Sequence, residues 1–343
     1  MIVLNHRKDE IDMTTETAVR PDAVSKLLAM SDIITPIAIR AAATHRVVSG
    51  LAAGQTVAEI AADRGLDVEV LDTLVRFLGE IGILDGDPTT PAPTEIGTIL
   101  ATAEDGLSLT GMLGFATKSL VALDHTLETG RVSALGLFGE DFWTALSRDR
   151  ANLPTIEAEL ARGTAEYDED VLINAVDWSG AAVVVEIGGG GGQLLNRILD
   201  AVPEAVGVLL DRGLVAEASA RLNARGHNAD RVSVVDQSYF DEIAPRGDVF
   251  VMSAVLADWA DEQAIALLRR CREAAHRDGA RFILSEVTLR AGSAREELYY
   301  RAMVTVPVRE TAELLELGRR AGFVDGTVLA ETPARSVIEF VAP

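Results

Sequence analysis

Apolar positions in the first half of the chain recur at helical intervals, whereas from Val183 onward they gather into short runs separated by helical stretches. Val24, Leu27 and Leu28, then Ile37, Ile39 and Ala42, predict two helices between Ala23 and Gly54. Thr56 stands at an N-cap position before Val57, Ile60 and Ala61, and Gly65 is placed to stop that helix. Asp67 opens a longer one with Val70, Leu71, Leu74, Phe77, Leu78 and Ile81 on one stripe. Ile83-Leu84 to Pro91 and Pro93 to Gly97 add a small β wing. Two short helices around a glycine turn resemble a helix-turn-helix, but a DNA-reading second helix has to be basic. This one carries Asp67, Glu69, Asp72 and Glu80 against Arg76 alone, so it reads as a packing or dimerisation module. Between Leu107 and Tyr167 helical stretches are interrupted at Thr129-Gly130 and at Phe138-Gly139-Glu140-Asp141-Phe142-Trp143. That aromatic patch is either core or the wall of a pocket for a flat substrate.

The later runs, 183–187, 206–210 closed by Asp211, 231–236, 248–252, 281–285, 327–329 and 337–340, read as strands. Their alternation with helices predicts an α/β domain, a Rossmann-like doubly wound, mostly parallel sheet with its ligand outside the strands' carboxyl ends. The first strand enters five consecutive glycines, Gly188 to Gly192, and then Leu194, Leu195, Ile198 and Leu199 at helical spacing. Without Cβ atoms on the turn, a ligand can lie directly on its backbone. A dinucleotide fingerprint needs glycines at i, i+2 and i+5, and here the last position falls on Gln193, Leu194 or Leu195. What fits is Glu186-x-Gly188-x-Gly190-x-Gly192, with Asp211 ending the next strand, where its carboxylate can accept both ribose hydroxyls of a nucleoside. Residues 1–20 read as a flexible arm, 21–178 as a helical domain with a winged-helix-like segment, and 179–343 as the nucleoside-binding domain.

Composition narrows the function classes. The 53 acidic against 31 basic residues give a formal charge of −22, which repels nucleic acid and anionic membrane. Cys271, the single cysteine, sits beside Leu267, Leu268, Arg269 and Arg270 as a helix wall rather than a nucleophile. No run of ~18 apolar residues occurs, and the N-terminus has charges where a signal peptide has its apolar core. The expectation is a cytoplasmic protein with no membrane or nucleic-acid partner. No His, Cys and Asp cluster has metal-ligand spacing, so no metal is expected.

The glycine turn and Asp211, followed by Phe240-Asp241-Glu242, Asp258-Trp259-Ala260-Asp261-Glu262, Leu268-Arg269-Arg270-Cys271 and Arg320-Ala321-Gly322-Phe323, carry a resemblance. The chain resembles class I S-adenosylmethionine-dependent methyltransferases, specifically the small-molecule O-methyltransferases of plants and actinobacterial antibiotic pathways. Thr56 to Leu84 and the Thr129-Gly130 and Phe138 to Trp143 motifs extend the likeness over residues from about 25 to 343. The resemblance implies that Glu186, Gly188, Gly190 and Gly192 hold the methionine end of the cofactor and Asp211 the ribose. It puts the adenine on Asp236, Gln237, Ser238 and Tyr239, with Ser253 and Trp259 as further cofactor contacts. Phe142, Trp143, Tyr299, Tyr300 and Met303 are implied to face the acceptor, and the helical half to form a homodimer.

Two stretches depart from the family pattern. Where Leu-His-Asp-Trp is usual, with the His as general base, this chain has Leu256-Ala257-Asp258-Trp259. Such a base is typically worth about 10²- to 10⁴-fold in rate. Where Gly-Asp-Phe-Phe is usual, it has Gln237-Ser238-Tyr239-Phe240. The missing His resembles the branch acting on anthracycline-type aromatic polyketides. Candidates for catalytic work are Asp258, which equally reads as a helix N-cap before Ala260-Asp261-Glu262, and His125, Glu286 and Arg309. The expected activity is methyl transfer from S-adenosylmethionine to oxygen, or to an electron-rich carbon, of a hydroxylated aromatic or polyketide-like metabolite, driven by orientation. The alternatives are a non-methylating hydroxylase, decarboxylase or cyclase using the same cofactor, and a catalytically silent partner protein.

Overall fold

A computed structural model describes residues 21–87, 91–162, 170–288, 293–305 and 308–343; the N-terminal arm, 1–20, lies outside the described residues. The apolar runs after Val183 become seven strands: β1 Val183–Ile187, β2 Val206–Asp211, β3 Val232–Asp236, β4 Val249–Ser253, β5 Arg281–Val287, β6 Asp325–Glu331 and β7 Arg335–Val341. They join in one sheet in the order β3-β2-β1-β4-β5-β7-β6. The first five are parallel to one another, and β7 runs antiparallel between β5 and β6. Parallel strands need both faces covered, which explains the β-branched runs. On one face Leu195, Ile198 and Leu199 of helix Gln193–Ala201 pack with Leu172 against Val184, Leu209 and Val251. On the other, helices Asp261–Asp278 and Thr311–Ala321 bring Leu268, Cys271, Leu314 and Leu317 against Phe250, Phe282 and Ile338. Cys271 is fully buried there, a packing residue.

In the helical half, Thr56 and Glu59 form a capping box at helix Val57–Arg64, Gly65 ends that helix at φ +65°, and Asp67 caps Val68–Glu80. The wing is a two-residue ladder, Leu84–Asp85 with Ala92–Pro93. One expectation is corrected: the stretch before Gly54 holds three helices, Pro21–Met30, Ile34–Thr44 and Val47–Ala52. Arg46, at φ +50°, is the left-handed break between the last two, which an apolar period does not register. A second concerns hydropathy. The segment Asp22–Thr44 reaches a mean hydropathy of 1.4 and is long and apolar enough to cross a membrane by length and composition, although no run of ~18 uninterrupted apolar residues is present. The interrupted aromatic motif is a helix end followed by a helix start: Gly139 closes Ser133–Phe138, and Asp141 caps Phe142–Leu146 through Thr144. That short helix packs against Phe115, Leu153 and Ile156 and against Leu214 and Val215 of helix Gly213–Asn223, joining the helical half to the sheet half above the carboxyl ends of the strands.

Candidate functional site

The strand order reverses between β1 and β4, and the crevice at such a point is where open α/β sheets bind ligands. From Ile187 the chain turns through Gly188 at φ +73°, Gly190 at +54° and Gly192 at +80° into helix Gln193–Ala201. A Cβ on Gly188 would stand 2.7 Å from a Val255 methyl carbon, so both conformation and space demand glycine there. Gly188 to Gly191 line a cavity of about 220 Å³ together with Glu186, Asp211, Tyr239, Ser253 and Asp258 from the sheet half. Met112, Trp143, Glu159 and Leu160 close it from the helical half.

Asp211, at the end of β2, is 8% exposed, and its carboxylate accepts from the Arg212 amide at 2.8 Å and the Gly190 amide at 3.0 Å. Burial pushes its carboxyl up to about 6 against the pull of those amides and of the Arg212 charge. It is therefore ionised near neutrality and keeps lone pairs for further donors. A bare backbone turn with a carboxylate beside it fits a nucleoside whose tail crosses the turn.

The opposite wall is built from the segment after β4. Ala254 takes φ +54°, a left-handed conformation that costs a residue with a Cβ about 1–2 kcal/mol, and leads into the one-turn helix Leu256–Asp258. Glu286, 1% exposed, accepts from the Leu256 amide at 3.0 Å. Arg309, 3% exposed, donates to the carbonyls of Leu256 and Trp259, each at 2.6 Å. The Thr305 hydroxyl donates to the Asp258 carbonyl at 3.0 Å. The turn is thus fixed by the protein's own groups. From across the cavity the Trp143 indole donates to Asp258 Oδ2 at 2.8 Å. Burial raises the Asp258 carboxyl to about 8, the Trp143 bond opposes that rise, and the nearby Glu286 charge adds to it.

Several expected residues come together here: Glu186, Gly188, Gly190, Asp211, Tyr239, Ser253, Trp143 and Asp258 line the one cavity. Others do not. Gly192 serves packing, since a Cβ there would meet Leu209 and Asn223. Asp236 accepts from the Gly213 amide, Gln237 bonds Glu242 and Ala244, and Ser238 accepts from Phe240; all three close loops outside the cavity lining. Trp259 stands edge-on to Tyr239 and Phe240 beneath the site. Phe142 is 1% exposed and belongs to the core, so the aromatic patch divides between core and pocket wall. Tyr299 donates to the Leu113 carbonyl and packs with Met303 on the helical core, and neither these nor Tyr300 line the cavity.

Three of the catalytic candidates are not among the residues lining this cavity: His125 lies against Gly136, and Glu286 and Arg309 hold the Leu256–Asp258 turn. Asp258 is not the helix cap either, since helix Asp261–Asp278 starts from Ala260 without a side-chain cap.

Residues that sequence reasoning missed are Arg212, Glu159 and Arg335. Arg212 pairs with Asp141 at 2.7 Å and lies over the Tyr239 and Trp259 rings at 5.7 and 5.6 Å. Its place directly after Asp211 was a usable signal. Glu159 accepts from the Met112 and Leu113 amides, and Arg335, 1% exposed, donates to Ser253 and Ser285. Neither had a local signal.

Comparison with known proteins agrees with this geometry. Residues 123–324 match the family model for the O-methyltransferase domain. The chain is 34% identical over 308 residues to the 2,7-dihydroxy-5-methyl-1-naphthoate 7-O-methyltransferase of Streptomyces carzinostaticus, covering 86% of this chain and 91% of that one. It is 32% identical over 278 residues, 77% and 73% of the two chains, to the aclacinomycin 10-hydroxylase RdmB of Streptomyces purpurascens. Among solved structures, the O-methyltransferase NcsB1 from neocarzinostatin biosynthesis, in complex with S-adenosyl-L-homocysteine and 1,4-dihydroxy-2-naphthoic acid, superposes with a TM-score of 0.74 at 31% identity, over 92% of this chain and 98% of that one.

Proposed function

The chain belongs to the O-methyltransferase family, and from that membership we propose that it methylates a hydroxyl oxygen on a fused-ring aromatic, polyketide-like metabolite. One observation carries the reading: the glycine turn with Asp211 and the pair Trp143–Asp258 face the same cavity from opposite sides, so donor and acceptor can meet there. S-adenosylmethionine is the cofactor, and it supplies an already activated methyl group on a sulfonium. Gly188, Gly190 and Glu186 would hold its methionine end and Asp211 its ribose, while the Tyr239 ring and the Arg212 guanidinium, which stacks on it, stand beside the purine position. The protein's remaining task is to orient the acceptor and keep out water, and proximity of that kind contributes up to about 7–11 kcal/mol. Relatives named for a naphthoate, an aminohydroxybenzoate and a phenazine support a flat hydroxylated acceptor, and Trp143 offers such a ring a wall.

The same proposal makes the protein a cytoplasmic homodimer. Leu27, Met30, Ile33 and Ile34 on the first helices are more than 60% exposed in the single chain, and a second copy covering them accounts for that apolar face without a membrane. The net charge of −22 speaks against nucleic acid as a partner.

One relative is a hydroxylase, so the test has to count the methyl group. Purified protein is incubated with S-adenosylmethionine and a panel of hydroxynaphthoates and related phenols, and S-adenosylhomocysteine is measured against acceptor consumed. Equimolar release supports the reading. Acceptor consumption without release would move the chain to the hydroxylase type, and calorimetric absence of S-adenosylhomocysteine binding would remove the cofactor assignment.

A further inference from the structure

Resting on that reading, we propose that Asp258 is the proton acceptor for the substrate hydroxyl, held in place by Trp143 from the helical half, and that it replaces the histidine absent at Ala257. The geometry has four parts. The Asp258 carboxylate opens on the cavity shared with the glycine turn. Its Oδ2 is fixed by the Trp143 indole at 2.8 Å, while Oδ1 has no protein donor among the described residues and is left for the acceptor. The backbone carrying it is pinned at three points, by Glu286, Arg309 and Thr305, so the carboxylate cannot swing away. Of the other catalytic candidates, His125 packs against Gly136 and is not among the residues lining the cavity, and Glu286 accepts from the Leu256 and Val287 amides. Trp143 is a positioning residue in this account.

The step balances simply. The hydroxyl proton passes to Asp258 Oδ1 as the acceptor oxygen bonds the methyl carbon, and the electron pair of the broken carbon–sulfur bond stays on sulfur. The protonated carboxyl then loses its proton to solvent when the products leave. A carboxylate in water is too weak a base for a phenol, and enclosure strengthens it: burial holds this one at about 8, near the working pH. The groups facing it are the Trp143 donor, the Glu286 and Asp211 carboxyls, the Arg212 guanidinium and the Tyr239 phenol.

The test compares wild type with Asp258→Asn and Trp143→Phe on the same phenol panel from pH 6 to 9.5. For wild type, kcat/KM rises with pH and levels off above about 8. Asp258→Asn lowers kcat by about 10²- to 10⁴-fold and loses that inflection, while S-adenosylhomocysteine affinity stays within threefold by calorimetry. Trp143→Phe lowers kcat less than Asp258→Asn does and moves the inflection to higher pH, because the donor that favours the ionised carboxyl is gone.

A readout free of turnover is Tm. The folded carboxyl titrates above its unfolded value, so its ionisation destabilises the fold as pH rises from about 4 toward 8. Asp258→Asn therefore melts above wild type at pH 8.5, with the gap closing at pH 5. An Asp258→Asn enzyme with wild-type kcat and pH profile overturns the inference alone. A wild type that binds S-adenosylhomocysteine yet releases none with any phenol overturns the methyl-transfer reading beneath it.

Discussion

Asp211 has both carboxylate oxygens on backbone amides, so its position is set by the protein itself and its charge is what a ligand would read. Each ribose hydroxyl bonded to a carboxylate is worth about 1.5–3 kcal/mol, so Asp211→Ala should weaken S-adenosylhomocysteine binding by at least roughly 10- to 100-fold in a calorimetric titration. The pH dependence has a definite sign. With its carboxyl raised to about 6 by burial, Asp211 is neutralised as pH falls through 6, and affinity should drop between pH 7.5 and 5. In Asp211→Asn that dependence should vanish; an unchanged dependence would place the titrating group elsewhere. Ser238 and Gln237 show the opposite case, residues whose side chains satisfy their own loop and leave Tyr239 as the one member of that segment on the cavity.

At the scale of elements, the turn Leu256–Asp258 depends on a buried guanidinium. Arg309 donates to two carbonyls; that of Leu256 also accepts from the Trp259 amide at 3.2 Å, whereas that of Trp259 has no other donor among the described residues, and an unpaired buried carbonyl costs about 1–3 kcal/mol. Arg309→Leu should therefore lower unfolding stability by roughly 1–3 kcal/mol in urea and reduce kcat by loosening Asp258. A variant of wild-type stability would show that the turn is held by its packing alone. What could be read from the sequence follows the range of the forces involved. The β-branched runs, the glycine turn, the caps at Thr56 and Asp67 and the stop at Gly65 are local, and these features lie where they were expected. Helix Phe142–Leu146 starts inside a stretch that reads from sequence as an interruption between helices, and neither the helix nor its placement was legible. Its Asp141 meets Arg212 and its Trp143 meets Asp258 only because the helical half folds back over the sheet. Glu159 and Arg335 were hidden for the same reason, and Arg309 was assigned to chemistry because its backbone partners lie about fifty residues away.

At the scale of the molecule, the two halves share one core around Leu153, Ile156, Leu214 and Val215, so the helical half is a fixed wall of the cavity rather than an appended module. Its outer helices carry the unpaired apolar face. Ile34→Asp with Met30→Asp should convert a dimer to a monomer by light scattering, and a wild type already monomeric at micromolar concentration would contradict the proposed assembly. The central claim concerns the methyl group itself, and the direct measurement is mass spectrometry of a hydroxynaphthoate incubated with the enzyme and trideuteromethyl-labelled S-adenosylmethionine. The account predicts a trideuteromethyl ether in equal amount to the S-adenosylhomocysteine formed. A hydroxylated or decarboxylated product with the label still on the cofactor would contradict it.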